Sequence, residues 1–246
     1  MKRRFPGLIF NSLKADLKFI ARDPMLIVAA VAPVFLIILL RLVFPPLAEF
    51  VILKTGVDIN LYYPVVAITF ISLIPMLIGM VYAFILIDEN DMHILQVISV
   101  TPAGRINFIL MRMVMPVLLS LFFIWIAVLF TDPVASEGWL RTLVITILLS
   151  TQSTFVFLFT GSMAGDKIEG LAFSKLYGIF LVAVPLGLVL HHPWNYLAFF
   201  SPSYWIAWSW VVPSPVYGIW YAVIATVLTS AGMIFLLTHF LKKQVA

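Results

Sequence analysis

The densest chemistry in the chain is the stretch Asp88-Glu89-Asn90-Asp91-Met92-His93, three carboxylates and an imidazole within six residues. A short acidic pair of this kind suits Mg²⁺–diphosphate chemistry. That chemistry needs a second acidic cluster on the same side, and Asp132 and Glu137 fall on the opposite side of the topology drawn below. Ser162 has no histidine near it, because His93 sits in a loop and His191 and His192 lie on the other side. A serine-type intramembrane protease therefore lacks its base. His191-His192 offers two metal donors without a third, and reads as interfacial polarity. Gly161-Ser-Met-Ala-Gly165-Asp166-Lys167 has glycines at the wrong spacing for a phosphate-binding loop, so this chain carries no ATP site of that kind. There is no cysteine, which removes disulfides, thiolate metal sites and thiol nucleophiles.

The elements that position these residues are set by composition. Of 246 residues, 63% are hydrophobic and 11% charged, against roughly half and a quarter in an ordinary soluble domain. Mean hydropathy is +1.11. A net charge of +4 is too small and too scattered for a nucleic-acid surface. The expected fold is all-α: a polytopic membrane protein forming a single domain over residues 1–246.

A spanning helix needs about 20 mostly apolar residues. Six stretches approach that: 25–44, 64–87, 109–130, 140–163, 176–190 and 216–240. The fifth is short unless its ends run past Lys175 and His191. The runs are continuously apolar, which excludes the alternation of a β-barrel. The first begins too late and is too long for a cleaved signal peptide. With the N-terminus cytoplasmic, that side holds Lys2, Arg3, Arg4, Lys14, Lys18, Arg22, Arg105, Arg112, Lys167, Lys175, Lys242 and Lys243. The outer side holds only Arg41, Lys54 and Arg141. The positive-inside bias predicts six spans with both termini cytoplasmic.

Residues 5–22 are amphipathic, with Leu8, Ile9, Leu13, Leu17 and Ile20 at helical spacing, and Asp23-Pro24 ends that element. It reads as an interfacial helix, either a basic anchor or an elbow that also touches a partner. In the loop 88–108, the acids are expected at the start of a short amphipathic helix carrying Ile94, Leu95, Val97 and Ile98, stopped by Thr101-Pro102. Its apolar face implies docking on a partner, or else lies against the bilayer or the bundle. The loop 165–174 reads as a turn with short helical pieces. Segment 191–215 is rich in Trp, Tyr and Pro, and reads as an interfacial or re-entrant helix rather than a seventh span. The spans have no ionisable residue at mid-depth, and Arg41, Arg112 and His239 are expected to snorkel from near the ends. Their polar groups, Thr69, Ser72, Ser120, Ser150, Thr151, Gln152 and Thr154, either bond helix to helix or line a path.

These features resemble the permease subunit of ABC-2 type (type V) exporters, including drug-export permeases. The loop matches best: Glu89 and Asp91 correspond to the family's acidic pair, Leu95 to its leucine, Thr101-Pro102 to its Thr-Pro and Arg105 to its arginine. His93 stands where the family has glycine, and Gln96 where it has glutamate. The amphipathic N-terminus before Arg22-Asp23-Pro24, Ser174-Lys175 opening the fifth span, and the aromatic segment before the sixth also fit.

The resemblance implies a membrane subunit of an ATP-driven exporter, not itself an enzyme, in the cell (plasma or inner) membrane. It implies two copies of a separate ATPase subunit, with ATP and Mg²⁺ bound there, no cofactor on this chain and no nucleic acid. A second permease, identical or a close paralogue, completes the assembly. The ATPase-coupling residues are then Asp88, Glu89, Asp91, His93, Leu95, Gln96, Thr101, Pro102 and Arg105, with Asp166, Lys167 and Glu169 as a secondary contact. The apolar lining suits a drug or lipid-like cargo, moving past Thr69, Ser72, Ser120, Ser150, Thr151, Gln152 and Thr154. Two other classes stay open: a metal-dependent enzyme acting on lipid-linked substrates through Asp88, Glu89, Asp91 and His93, and a non-transporting tether of an ATPase.

Overall fold

A computed structural model describes residues 14–94, 98, 104–131, 139–189, 196, 198–212 and 214–245. The described chain is helical and contains six helices long and apolar enough to cross a membrane. Residues 14–20 form α1, the described part of the N-terminal amphipathic element. The spans are α2 (Pro24–Thr55), α3 (Tyr63–Asp91), α4 (Gly104–Thr131), α5 (Trp139–Met163), α6 (Lys167–Val189) and α8 (Pro215–Val245). The short α7 (Pro202–Val211) precedes the last span.

Asp23 caps α2: its Oδ1 accepts from the amides of Met25 and Leu26, and Pro24 occupies the first turn. The helix continues past Phe44 to Thr55, about 48 Å at 1.5 Å per residue, and so outruns a hydrocarbon core of about 30 Å. Pro45 and Pro46 have no N–H to give, and their rings crowd the carbonyls one turn back. The chain answers with a π-turn over Leu39–Val43. Gly56, at φ +71°, closes the helix in the left-handed conformation.

Helices α3 and α5 form the buried centre, and α8 is the most peripheral span. The central pair is close because Gly79 faces it: a Cβ there would lie 2.4 Å from the Ser153 carbonyl oxygen and 2.8 Å from Val156. Small residues at such a crossing let backbones approach where no hydrophobic effect separates helix from lipid.

Two element boundaries differ from expectation. Asp88, Glu89 and Asp91 do not open a loop helix; they form the last turn of α3. Residues 167–174 are not a loop; they are the first two turns of α6, and only Ala164, Gly165 and Asp166 turn the chain. Hydropathy averaged over a window is blind to charged turns that continue a helix beyond its apolar stretch. Of the loop helix itself, only Ile94 and Ile98 are described, both helical.

The segment before the last span re-enters the bundle. Ser201 Oγ donates to the Phe180 carbonyl (2.8 Å), nine residues before α6 ends, which places the foot of α7 about 14 Å inside that end of the bundle. From there α7 climbs back. Its last carbonyls are gathered by Arg141 at the start of α5, which donates to Ser209 (2.7 Å), Trp210 (3.1 Å) and Val212 (2.5 Å). A guanidinium is well suited to a helix C-terminus, whose carbonyls have no intrahelical donors.

Candidate functional site

At the end of the bundle opposite Arg141, five elements bring their charges together. Arg112, one turn into the apolar part of α4, sends its guanidinium between Glu89 of α3 and Asp16 of α1. Nη2 and Nε bind the two oxygens of Glu89, while Nη1 binds Asp16. All three residues are buried: Arg112 is 6% exposed, Glu89 4% and Asp16 1%. Phe108 lies under the guanidinium at 5.6 Å. The expectation that Arg112 snorkels to the surface is therefore corrected. Two carboxylates supply, inside the protein, what the interface would have supplied outside it.

A second cation sits beside this cluster. Lys167 Nζ bridges Asp23 (2.5 Å) and Asp88 (2.8 Å), joining the start of α6 to the start of α2 and the end of α3. The Lys167 hydrogen bond, chiefly, and the Met25 and Leu26 amides hold the Asp23 carboxyl below the usual carboxylate range, against a smaller opposing effect of burial. Gly170 permits this approach: a Cβ there would be 2.7 Å from the Phe84 ring.

The predicted coupling residues thus divide. Asp88 and Glu89 face inward, onto Lys167 and Arg112. Asp91, Met92 and His93 are exposed, as are Asp166 and Glu169. Asp166 caps the first turn of α6 by accepting from the Glu169 amide (2.8 Å), and Glu169 returns to accept from the Gly165 amide (2.7 Å). Met92 (60% exposed) and Ile168 (80%) are bare apolar side chains on this acidic rim. His93 has φ +57°, the left-handed conformation that ends α3. Glycine adopts this conformation without a Cβ clash. Leu95, Gln96, Thr101 and Pro102, with the side chain of Arg105, lie outside the described residues.

The predicted path residues are drawn into the bundle's own bonding. Thr69, Ser72, Ser150 and Thr151 donate to carbonyls of their own helices. Ser120 of α4 meets Ser153 of α5 (3.0 Å), and Thr154 donates to the Met113 carbonyl (2.8 Å). Gln152 lies at the centre of a chain across three spans: Tyr177 Oη donates to its Oε1 (3.1 Å), and its Nε2 donates to Thr229 Oγ1 (2.9 Å). Sequence reading missed Asp16 and Arg112 as partners of Glu89, and Tyr177 and Thr229 as partners of Gln152.

A bundle of six helices long and apolar enough to cross a membrane, tied at one end by buried charges, defines a polytopic membrane protein. Over residues 16–238 the chain matches the family described as "Fluoroquinolones export permease protein Rv2686c-like", and it belongs to that family. It is 25% identical over 209 residues to the fluoroquinolones export permease proteins MT2760 and Rv2686c of two Mycobacterium tuberculosis strains, CDC 1551 / Oshkosh and H37Rv. The match covers 84% of this chain and 82% of each relative. No solved structure matches it. The chain is a multi-pass membrane protein and a transporter permease subunit, in keeping with the ABC-2 type resemblance.

Proposed function

We propose that this chain is the membrane subunit of an ATP-driven exporter that moves a hydrophobic or amphiphilic molecule, drug or lipid-like, and takes its energy from a separate ATPase. The assembly has two ATPase copies, which bind the ATP and Mg²⁺, and two permeases, this chain with itself or with a close paralogue. Both termini and the charged end face the cytoplasm of the cell that bears it in its plasma or inner membrane.

One observation carries the reading: the turn that leads from α3 into the loop at 92–103 is braced from within. Glu89 and Asp88 are held by Arg112 and Lys167, so a push on the exposed Asp91–His93 surface moves α1, α3, α4 and α6 together. A passive connector has no need of such bracing. The exposed acids Asp91, Asp166 and Glu169, with Met92 and Ile168 among them, form the contact; Asp88 and Glu89 transmit it. Two of the acids that a metal-dependent enzyme would use, Asp88 and Glu89, are already engaged by cations, which favours the exporter.

Purification from mild detergent tests this. The expected result is an ATPase subunit recovered at two to two with this chain, and ATP hydrolysis that drives uptake of a fluoroquinolone into inverted vesicles. A chain that purifies alone and transports nothing with ATP overturns the reading.

A further inference from the structure

Helix α1 lies across the charged end of the bundle and does not run away from it. Its two ends are tied to consecutive residues of α3: Asp16 meets Glu89 through Arg112, and Asp23 meets Asp88 through Lys167. Both ends therefore sit at the level of a single turn, where α3 ends and α2 begins. Between the ties the chain keeps winding past α1, with the Ala21 amide bonded to the Leu17 carbonyl (2.9 Å) and the Arg22 amide to that of Phe19 (3.1 Å). One side of this coil is spent on the protein: Phe19 and Ile20 pack on the cluster of Leu26, Phe84 and Ile85. On the other side Lys14, Lys18 and Arg22 recur at every fourth position, all exposed, with Leu17 (57% exposed) beside them. Among the described residues none of the three cations has an ion-pair partner. Asp16, the one acid between residues 14 and 22, is turned inward, so the outer stripe is purely basic.

We propose that this stripe is a binding surface for anionic phospholipid headgroups, with Lys14, Lys18 and Arg22 on the phosphates and Leu17 among the first acyl carbons. The level of the stripe decides for lipid. Arg22 stands two residues before the first span, and Ile27 and Val28, less than two turns further on, are already bare apolar side chains. Cations at that height meet the headgroup layer, and each is worth about fivefold in affinity at an anionic leaflet. A bare leucine beside them suits the boundary between headgroups and tails. The exposed acids of this end, Asp91, Asp166 and Glu169, belong to α3 and the start of α6, so the two signs of charge are segregated by element and serve different partners. The ties at Asp16 and Asp23 give the lipid its consequence: headgroups held on the outer side of α1 bear on α3, α4 and α6 through Arg112 and Lys167, and so stabilise the charged end as a ligand does. The inference needs the chain to be in a membrane and is independent of the exporter reading.

The test places the full-length chain in phosphatidylcholine bilayers and compares the fraction of spin-labelled phosphatidylglycerol and of spin-labelled phosphatidylcholine immobilised by it. The parent is expected to select phosphatidylglycerol, and the selection is expected to fall as sodium chloride is raised. Lys14→Gln with Lys18→Gln and Arg22→Gln is expected to reduce the selection at least about fivefold. Lys14→Arg with Lys18→Arg, which keeps the charge, is expected to select as the parent does, and so is Lys54→Gln at the other end of α2. Added phosphatidylglycerol is expected to raise the melting temperature of the parent more than that of the triple variant. A parent without selection, or with selection indifferent to salt, overturns the proposal without any variant; so does a triple variant that selects as the parent does. Selection abolished by inorganic phosphate, but not by chloride at equal ionic strength, makes the stripe a site for a soluble anion and overturns it. A triple variant that keeps the lipid selection yet loses the ATPase subunit on purification makes the stripe a protein contact and overturns it as well.

Discussion

Arg112 and Glu89, 23 residues apart, meet as a two-pronged guanidinium–carboxylate pair on adjacent spans, both almost fully buried. The pair is the joint between α3 and α4, and Asp16 makes it the anchor of α1 as well. Two buried anions on one cation are expensive to desolvate. Removing the cation alone is costlier still, since it leaves both anions unpaired.

Arg112→Gln is therefore expected to destabilise the bundle by about 3 kcal/mol, read as lowered thermal stability in detergent. Changing Asp16, Glu89 and Arg112 together to leucine is expected to recover most of that loss while abolishing transport. An unstable triple variant refutes the assignment of the cost to unpaired charge.

The Lys167–Asp23 pair predicts a pH response. The folded-state pKa of Asp23 is depressed, so its contribution is complete above the unfolded carboxylate value, about 4, and disappears as pH falls through the lower folded value. Between pH 5 and 8 the pair contributes no pH dependence. Both side chains are partly exposed, so the effect is small, under about 1 kcal/mol. Lys167→Met is expected to flatten the acid limb of a stability–pH curve and leave the neutral region level; an unchanged acid limb counts against the pair.

His93 occupies a left-handed position. His93→Gly is expected to stabilise the end of α3 by about 1 kcal/mol, since glycine adopts that conformation without the Cβ clash. Transport at wild-type rate in this variant assigns the position a backbone role. A fall in ATPase recovery instead assigns the imidazole to the contact.

Gly79→Leu is expected to force α3 from α5 and cost about 3 kcal/mol, the upper range of overpacking, because backbone as well as side chain stands in the way. Gly56→Ala meets nothing within 4 Å and strains only its own backbone, about 1 kcal/mol. Melting curves that rank the two in the opposite order refute the close crossing.

Gly170→Ala sets a Cβ 2.7 Å from the tip of the Phe84 ring, at the side of Lys167. It is expected to weaken the α3–α6 junction more than Gly178→Ala, which meets only Met76 at 3.8 Å. Limited proteolysis at the charged end checks the order.

Six apolar stretches, their positions and the one-sided placement of Lys and Arg could be read directly, because partition into a bilayer is close to a one-dimensional property of the chain. The re-entrant character of the segment before α8 was half legible: its prolines and aromatics excluded a span, but only the Ser201–Phe180 bond set its depth. The acids at 88–91 were recognised as a feature and misplaced by one element, because a charged last turn and a charged first turn look alike without the backbone. The partners were not legible at all. Asp16 and Arg112 stand 96 residues apart, and Gln152 and Thr229 stand 77 apart. Neither pairing has a local signature, since a charge or an amide acquires its meaning from the helix that packs beside it. Sequence alone determined that this chain crosses a membrane six times and belongs with export permeases; only the packing of α3 and α5, with α1, α4, α6 and α8 around them, decided which of its few polar groups brace the bundle and which face outward.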